Sequence, residues 1–198
     1  MIYAICLTEI VMVTEIELKA HAGNWEELKQ ILTEKAEYLC AFEKSDEYWF
    51  AAESSLPPSG LRIRGEKRRF ADETEDFFTI ATYKTKEVRD GIEVNDEHEF
   101  RVDPAGEFVE FLKRMGLKPG RSKKKRGWAF SKENITAELV EVAGLGWFVE
   151  LEIISHSDKS TKEAFTAEKT HLLEFLDSLG IAREAIESRF YTEMLANK

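Results

Sequence analysis

The chain has no glycine-rich phosphate loop: neither G-x-x-x-x-G-K-[ST] nor G-x-G-x-x-G occurs, and G-x-S-x-G is missing as well. Any bound phosphate must therefore be held by side chains rather than by a helix N-terminus, and a nucleophile-elbow hydrolase is excluded. Cysteine is scarce. Cys6 and Cys40 are the only two, with no C-x-x-C, which excludes a disulfide framework and fits a reducing cytoplasm. The four histidines, His21, His98, His156 and His171, show no zinc spacing and read as scattered surface or core residues. No basic surplus exists; the net charge of −10 argues against a general nucleic-acid binder. No apolar run has the length of a membrane span. The longest, the leader MIYAICLTEIVMV, lacks a basic flank and is broken by Glu9, so it is neither a signal peptide nor an anchor. Met12 reads as an alternative start, with residues 1–12 as an extension of the first strand.

Charge placed at a spacing of two is abundant. Glu15-x-Glu17, Glu97-x-Glu99 and Glu150-x-Glu152 are each interleaved with strand-type residues, and Lys19 and Arg101 continue the first two pairs. Arg62-x-Arg64 and Lys124-x-Arg126 repeat the spacing with positive charge. In a strand, residues two apart share a face, roughly 6.6–6.8 Å apart. Taken singly, each pair reads as the solvated face of an edge strand. Five such pairs of mixed sign, opposite apolar partners such as Ile16, Leu18, Ile63, Leu151 and Ile153, point instead to a ligand that needs both charges. A polyphosphate with its divalent metals is such a ligand: carboxylates hold the metal, and cations hold the phosphate oxygens.

With 198 residues, 43% of them hydrophobic, the chain suits one domain over 1–198. Alternation predicts strands over 11–20, 47–52, 61–64, 77–84, 92–102, 122–130, 135–142 and 147–154. The run Lys123–Arg126 falls in one of these and reads as a strand face rather than a nucleic-acid tail. Asn24 with Glu27 forms a capping box opening a helix whose apolar face is Trp25, Leu28, Ile31, Leu32 and Leu39. Pro57, Pro58 and Gly60 mark a loop. Asp103 as N-cap and Pro104 at the first position open a second helix carrying Phe108, Phe111 and Leu112 and ending at Gly116. Two C-terminal helices are expected over 162–179 and 183–195, divided by Gly180. Trp49, Trp128 and Trp147 read as core packing. Eight alternating strands favour a closed antiparallel barrel of the α+β class with helices packed outside. Charged inward side chains require a wet lumen, because an apolar filling cannot hold them. The two halves echo each other, which suggests an internal duplication whose test is the strand order of each half.

In order, these residues resemble the CYTH superfamily, the triphosphate tunnel metalloenzymes, over nearly the whole chain. Glu15-x-Glu17-x-Lys19 is similar to the opening hallmark. Asp46-Glu47-Tyr48-Trp49, Leu61-Arg62-Ile63-Arg64, Thr82-Tyr83-Lys84 and Glu97-x-Glu99 follow as in the family. Lys124-Lys125-Arg126 resembles Lys-x-Arg, Gly144–Glu152 resembles Gly-Leu-Gly-x-Phe-x-Glu-x-Glu, and Arg189–Glu193 resembles the closing Ser-Tyr-x-Glu. Two departures stand out. Val140 occupies the position where many members place aspartate, with Glu138 facing the same way two residues earlier, and Phe190 replaces the closing serine. The family includes class IV adenylate cyclases, thiamine triphosphatases and inorganic tripolyphosphatases, and the layout here is most similar to the class IV group.

The resemblance implies an eight-stranded tunnel that binds a triphosphate such as ATP, thiamine triphosphate or tripolyphosphate. Lys19, Arg62, Arg64, Lys84, Lys124 and Arg126 are then the phosphate-binding cations, with Lys19, Arg64 and Lys84 acting in catalysis and Lys19 in proton handling. Glu15, Glu17, Glu150 and Glu152 are the first-choice metal ligands, with Glu97, Glu99 and Glu138 second. Mg2+ or Mn2+ suits such oxygen donors, two ions being expected. The favoured reaction is ATP to cyclic AMP and pyrophosphate. Phosphohydrolysis and a non-catalytic binding module are the competing readings. The resemblance also implies a homodimer; the acidic balance and the lack of a span-length apolar run predict no nucleic-acid or membrane partner.

Overall fold

The computed structural model describes residues 14–51, 61–155 and 162–196. The leader with Cys6 and Met12, the Pro57–Pro58–Gly60 loop and His156 lie outside the described residues. Eight strands form the fold: β1 (Thr14–His21), β2 (Glu37–Ala51), β3 (Leu61–Arg69), β4 (Glu75–Arg89), β5 (Ile92–Arg101), β6 (Leu117–Lys132), β7 (Ile135–Val142) and β8 (Gly146–Ser155). They close into an antiparallel barrel in the order β1-β5-β4-β3-β2-β6-β7-β8. Exchanging β1–β4 with β5–β8 leaves this cyclic order unchanged, so both halves share one strand order.

The apolar core lies outside the barrel. Ile16, Leu18 and Ala20 of β1, Ala137 and Leu139 of β7, and Val149, Leu151 and Ile153 of β8 turn outward. They bury against helix α1 (Trp25–Lys35) through Leu28 and Leu32, and against α3 (Lys162–Ser178) through Phe165, Leu172, Phe175 and Leu176. Each fully buried side chain of this size contributes about 1.5–3 kcal/mol, enough to clamp the helices on the wall. Helix α2 (Ala105–Arg114) covers another face through Leu112, which packs with Trp49, Ile63 and Ala81. Trp25 stacks on Trp147 at 4.5 Å and on Trp128 at 5.7 Å, seating α1 on β6 and β8. Gly127 is required where β6 meets β7: a Cβ there would lie 2.0 Å from the Leu139 carbonyl oxygen. Among the described residues no helix is long and apolar enough to cross a membrane.

Three local expectations are corrected. α1 closes its capping box, Glu27 N donating to Asn24 Oδ1 at 3.3 Å, but stops at Lys35. Leu39 belongs to β2, because ladder pairing with β6 reaches back to Glu37–Ser131 and outweighs helix propensity. Pro104, not Asp103, is the N-cap of α2, and Phe111 remains exposed. Finally, 183–195 is not one helix. It holds a 3-10 turn (Arg183–Ala185) and a short helix α4 (Tyr191–Ala196). The chain between them bonds to β1 instead, with Glu187 N donating to the Lys19 carbonyl at 2.8 Å and Ile186 bridging Ala20.

Candidate active site

Because outward positions are apolar, the alternate positions point inward, and they carry charge. The barrel encloses a cavity of about 1750 Å³ lined by side chains from every strand. Glu15, Glu17, Arg62, Arg64, Lys84, Glu97, Glu99, Glu138, Glu150 and Glu152 all face it. Lys19 is 2% exposed and reaches Glu93, a further lining residue, at 2.9 Å. Its ion-pair partner is this carboxylate.

Lys124 and Arg126 are the corrections. Both are exposed on the outer wall, where Arg126 donates to Glu141. The β6 residues that enter the cavity are Lys123 and Lys125, 8% and 9% exposed. The error is one residue, which moves every side chain to the opposite face. All four positions from Lys123 to Arg126 are basic, so alternation carries no parity signal there. Cross-strand register supplies it: Lys125 pairs with Lys44 of β2 and Val142 of β7, both of which are buried.

Lys44, Asp46, Glu66 and Glu93 are further charged residues of the interior that charge-pair spacing missed, since each has no like-charged neighbour two positions away. Asp46 accepts from Arg64 Nε at 2.7 Å and Nη2 at 3.1 Å, and Lys123 stands 3.3 Å away. Burial opposes the Asp46 charge, but Arg64 and then Lys123 outweigh it and hold the carboxyl well below its usual range. Lys44 donates to Glu138. Arg62 bridges Glu97 at 3.1 Å and Glu99 at 2.9 Å. Lys125 Nζ is 2.7 Å from each oxygen of Glu150. Burial would raise the Glu150 carboxyl, yet Lys125 wins and depresses it.

The acidic side of the cavity is less well compensated. Glu17 pairs with Glu152 across the β1–β8 ladder, and Glu15 lies on the same face of β1. Burial first, then Glu93, Glu150 and Glu15, lift the Glu17 carboxyl to about 7. Burial and then Glu15 and Glu17 push Glu152 well above its ordinary value, and Glu15 is raised chiefly by burial. Their cation is Lys84, which donates to Glu15 and stands 2.8 Å from Glu97 and 3.9 Å from Glu17. Burial opposes the Lys84 charge; Glu15, Glu17 and Glu97 outweigh it and raise its pKa. Among the described residues no three acidic, histidine or cysteine side chains are drawn together closely enough to chelate an ion. The donor chemistry nevertheless fits a divalent cation, because one ammonium leaves Glu17 and Glu152 under-neutralised.

A pH dependence follows. Glu17 binds its proton more tightly folded than unfolded, so its contribution is present below pH 4.5 and is lost as pH rises towards about 7. The loss is on the order of 3 kcal/mol. In EDTA the protein is expected to melt higher at pH 5 than at pH 8, and Mn2+ is expected to restore the melting temperature at pH 8. A flat Tm between those values would remove the burial argument for Glu17.

A model of the CYTH domain matches residues 15–191. A candidate adenylate cyclase of Methanocaldococcus jannaschii is 30% identical over 134 residues, 68% of this chain and 73% of that protein. The solved structure of the PH1012 protein of Pyrococcus horikoshii is 30% identical, covers 90% of this chain and 98% of its own, and superposes with a TM-score of 0.69. A Hippeastrum protein, named as an adenylyl cyclase with a dominant triphosphatase activity, shares the fold at 18% identity and a TM-score of 0.64, over 93% of this chain and 94% of its own.

Proposed function

The chain belongs to the CYTH family of triphosphate tunnel enzymes, and from that premise we propose that it converts ATP to cyclic AMP and pyrophosphate in its barrel with a divalent metal. The observation that supports this most is one enclosed cavity in which an under-neutralised acidic cluster faces a set of buried cations. The name of the Methanocaldococcus relative favours cyclisation over hydrolysis.

Arg62, Arg64, Lys84, Lys123 and Lys125 bind the triphosphate oxygens. All of these cations already have carboxylate partners, which hold them in place and compensate their buried charges before the anion arrives. Arg64 uses two of its five N–H donors on Asp46, which fixes the guanidinium plane and leaves three for phosphate. Lys125 is oriented in the same way by Glu150. Glu15, Glu17 and Glu152 would hold Mg2+ or Mn2+, which supplies Lewis-acid polarisation of the phosphate when bound. In cyclisation a ribose hydroxyl oxygen bonds to the α-phosphorus as the bond from that phosphorus to the α–β bridging oxygen breaks; pyrophosphate leaves with that oxygen, and the hydroxyl proton passes to the water of the lumen. The cations stabilise the charge that develops on the leaving group.

The test is product analysis after incubation with ATP and Mn2+. Cyclic AMP with an equal amount of pyrophosphate is expected. Orthophosphate with ADP would replace cyclisation by hydrolysis, and metal-dependent binding without any product would leave a binding module.

A further inference from the structure

The final helix brings into the tunnel a side chain that belongs to none of the charged pairs. Tyr191, the first residue of α4, is 6% exposed and lines the cavity. Its ring meets Phe148 at 5.0 Å and 73°, in the apolar cluster that also holds Val140, Val142 and Phe42. Val140 belongs to that cluster, where a charged residue would be buried among apolar side chains. α4 is tied down from both sides. Arg121 donates to the Thr192 carbonyl at 3.0 Å, and Phe190 N donates to the Glu193 carboxylate at 3.0 Å.

Two features of this residue exceed what packing requires. First, three ammonium groups gather around one ring. Lys19, Lys125 and Lys123 stand 4.7, 4.9 and 5.3 Å from its centroid. Like charges so close repel, and the electron-rich face of the ring offsets part of that repulsion. Second, the phenol hydroxyl is buried and faces the Glu150 carboxylate, with which it interacts, but no hydrogen bond of normal geometry joins it to a described residue. A buried hydroxyl held so loosely can turn to a stronger acceptor that a ligand brings.

We propose that Tyr191 contacts the substrate: its ring gathers Lys19, Lys123 and Lys125, and its hydroxyl donates to a non-bridging oxygen of the triphosphate that Lys123 and Lys125 receive. This rests on the tunnel being the triphosphate site. The ring sets the lysine geometry before the anion arrives, which is positioning. The hydroxyl adds one charge-assisted hydrogen bond.

The experiment measures inorganic tripolyphosphate binding by calorimetry in EDTA, then ATP kinetics with Mn2+, on Tyr191→Phe and Tyr191→Leu. Tyr191→Phe retains the ring and is expected to bind tripolyphosphate about tenfold more weakly. Its KM for ATP should rise, its kcat should change little, and its Tm should equal or exceed that of the wild type. Tyr191→Leu is expected to weaken binding by a further factor of about ten. Should Tyr191→Leu not fold, Tyr191→Trp keeps an aromatic face without the phenol and should behave as Tyr191→Phe does. Binding by Tyr191→Phe at the wild-type value overturns the hydroxyl contact. Equal binding by Tyr191→Leu and Tyr191→Phe, or loss of binding in Tyr191→Trp far beyond that of Tyr191→Phe, overturns the role of the ring. A wild-type protein that binds no tripolyphosphate defeats the tunnel reading itself and this inference with it, a result distinct from the others.

Discussion

Glu17→Gln is expected to lower Mn2+-dependent ATP turnover by about 10³-fold or more while leaving the metal-free barrel more stable than the wild type at pH 8. The two effects share one cause. Glu17 is ionised at that pH against burial and against Glu93, Glu150 and Glu15, with Lys84 as its cation. A neutral amide of the same shape relieves the repulsion and also lets Glu152 ionise more readily, since the Glu17 charge raises Glu152. The same substitution removes a donor from the cluster that would hold the metal. Glu152→Gln should move both quantities in the same direction. Steady-state kinetics and thermal melts in EDTA decide it. Turnover within threefold of the wild type, or a lower Tm, would exclude Glu17 from the role assigned to it.

The second large effect separates neighbouring residues of one basic run. Lys125→Met is expected to reduce kcat/KM for ATP by about 10²–10³-fold. It should also destabilise the barrel by about 3–5 kcal/mol, because Glu150 loses the ammonium that satisfies both its oxygens and is left buried with its charge. The sign follows from the depressed Glu150 carboxyl, whose stabilisation exists above its unfolded pKa and disappears in acid; the penalty of the variant should therefore shrink as pH falls towards 4. The double variant Lys125→Met with Glu150→Gln should recover stability without recovering activity. Lys124→Met and Arg126→Met should leave kcat/KM within about twofold and stability within about 0.5 kcal/mol, since both side chains are on the exposed outer wall. If Lys124→Met and Lys125→Met proved equally damaging, the assignment of faces on β6 would be wrong.

These contrasts also mark where the sequence was legible. Strands with one apolar and one charged face announced themselves: the expected bounds of β7 coincide with Ile135–Val142, and Glu15, Glu17, Glu150 and Glu152 all face the lumen. Legibility failed on β6, where both faces are charged and neither parity stands out. It failed on β2, whose first residues continue a helix-like pattern but are taken by pairing with β6. It failed again after Arg183, where hydrogen bonds to β1 prevail over helix propensity.

Sequence alone settled the class of the barrel, the outward apolar faces and the presence of an acidic and a basic set within it, because alternation is a local property of neighbouring residues. Which lysines of Lys123–Arg126 point inward, which carboxylate each cation holds, and why Tyr191 ends among three ammonium groups were decided only by closure. Those facts depend on register between strands far apart in the chain and on the burial that raises or depresses each charge, and no window of consecutive residues contains either.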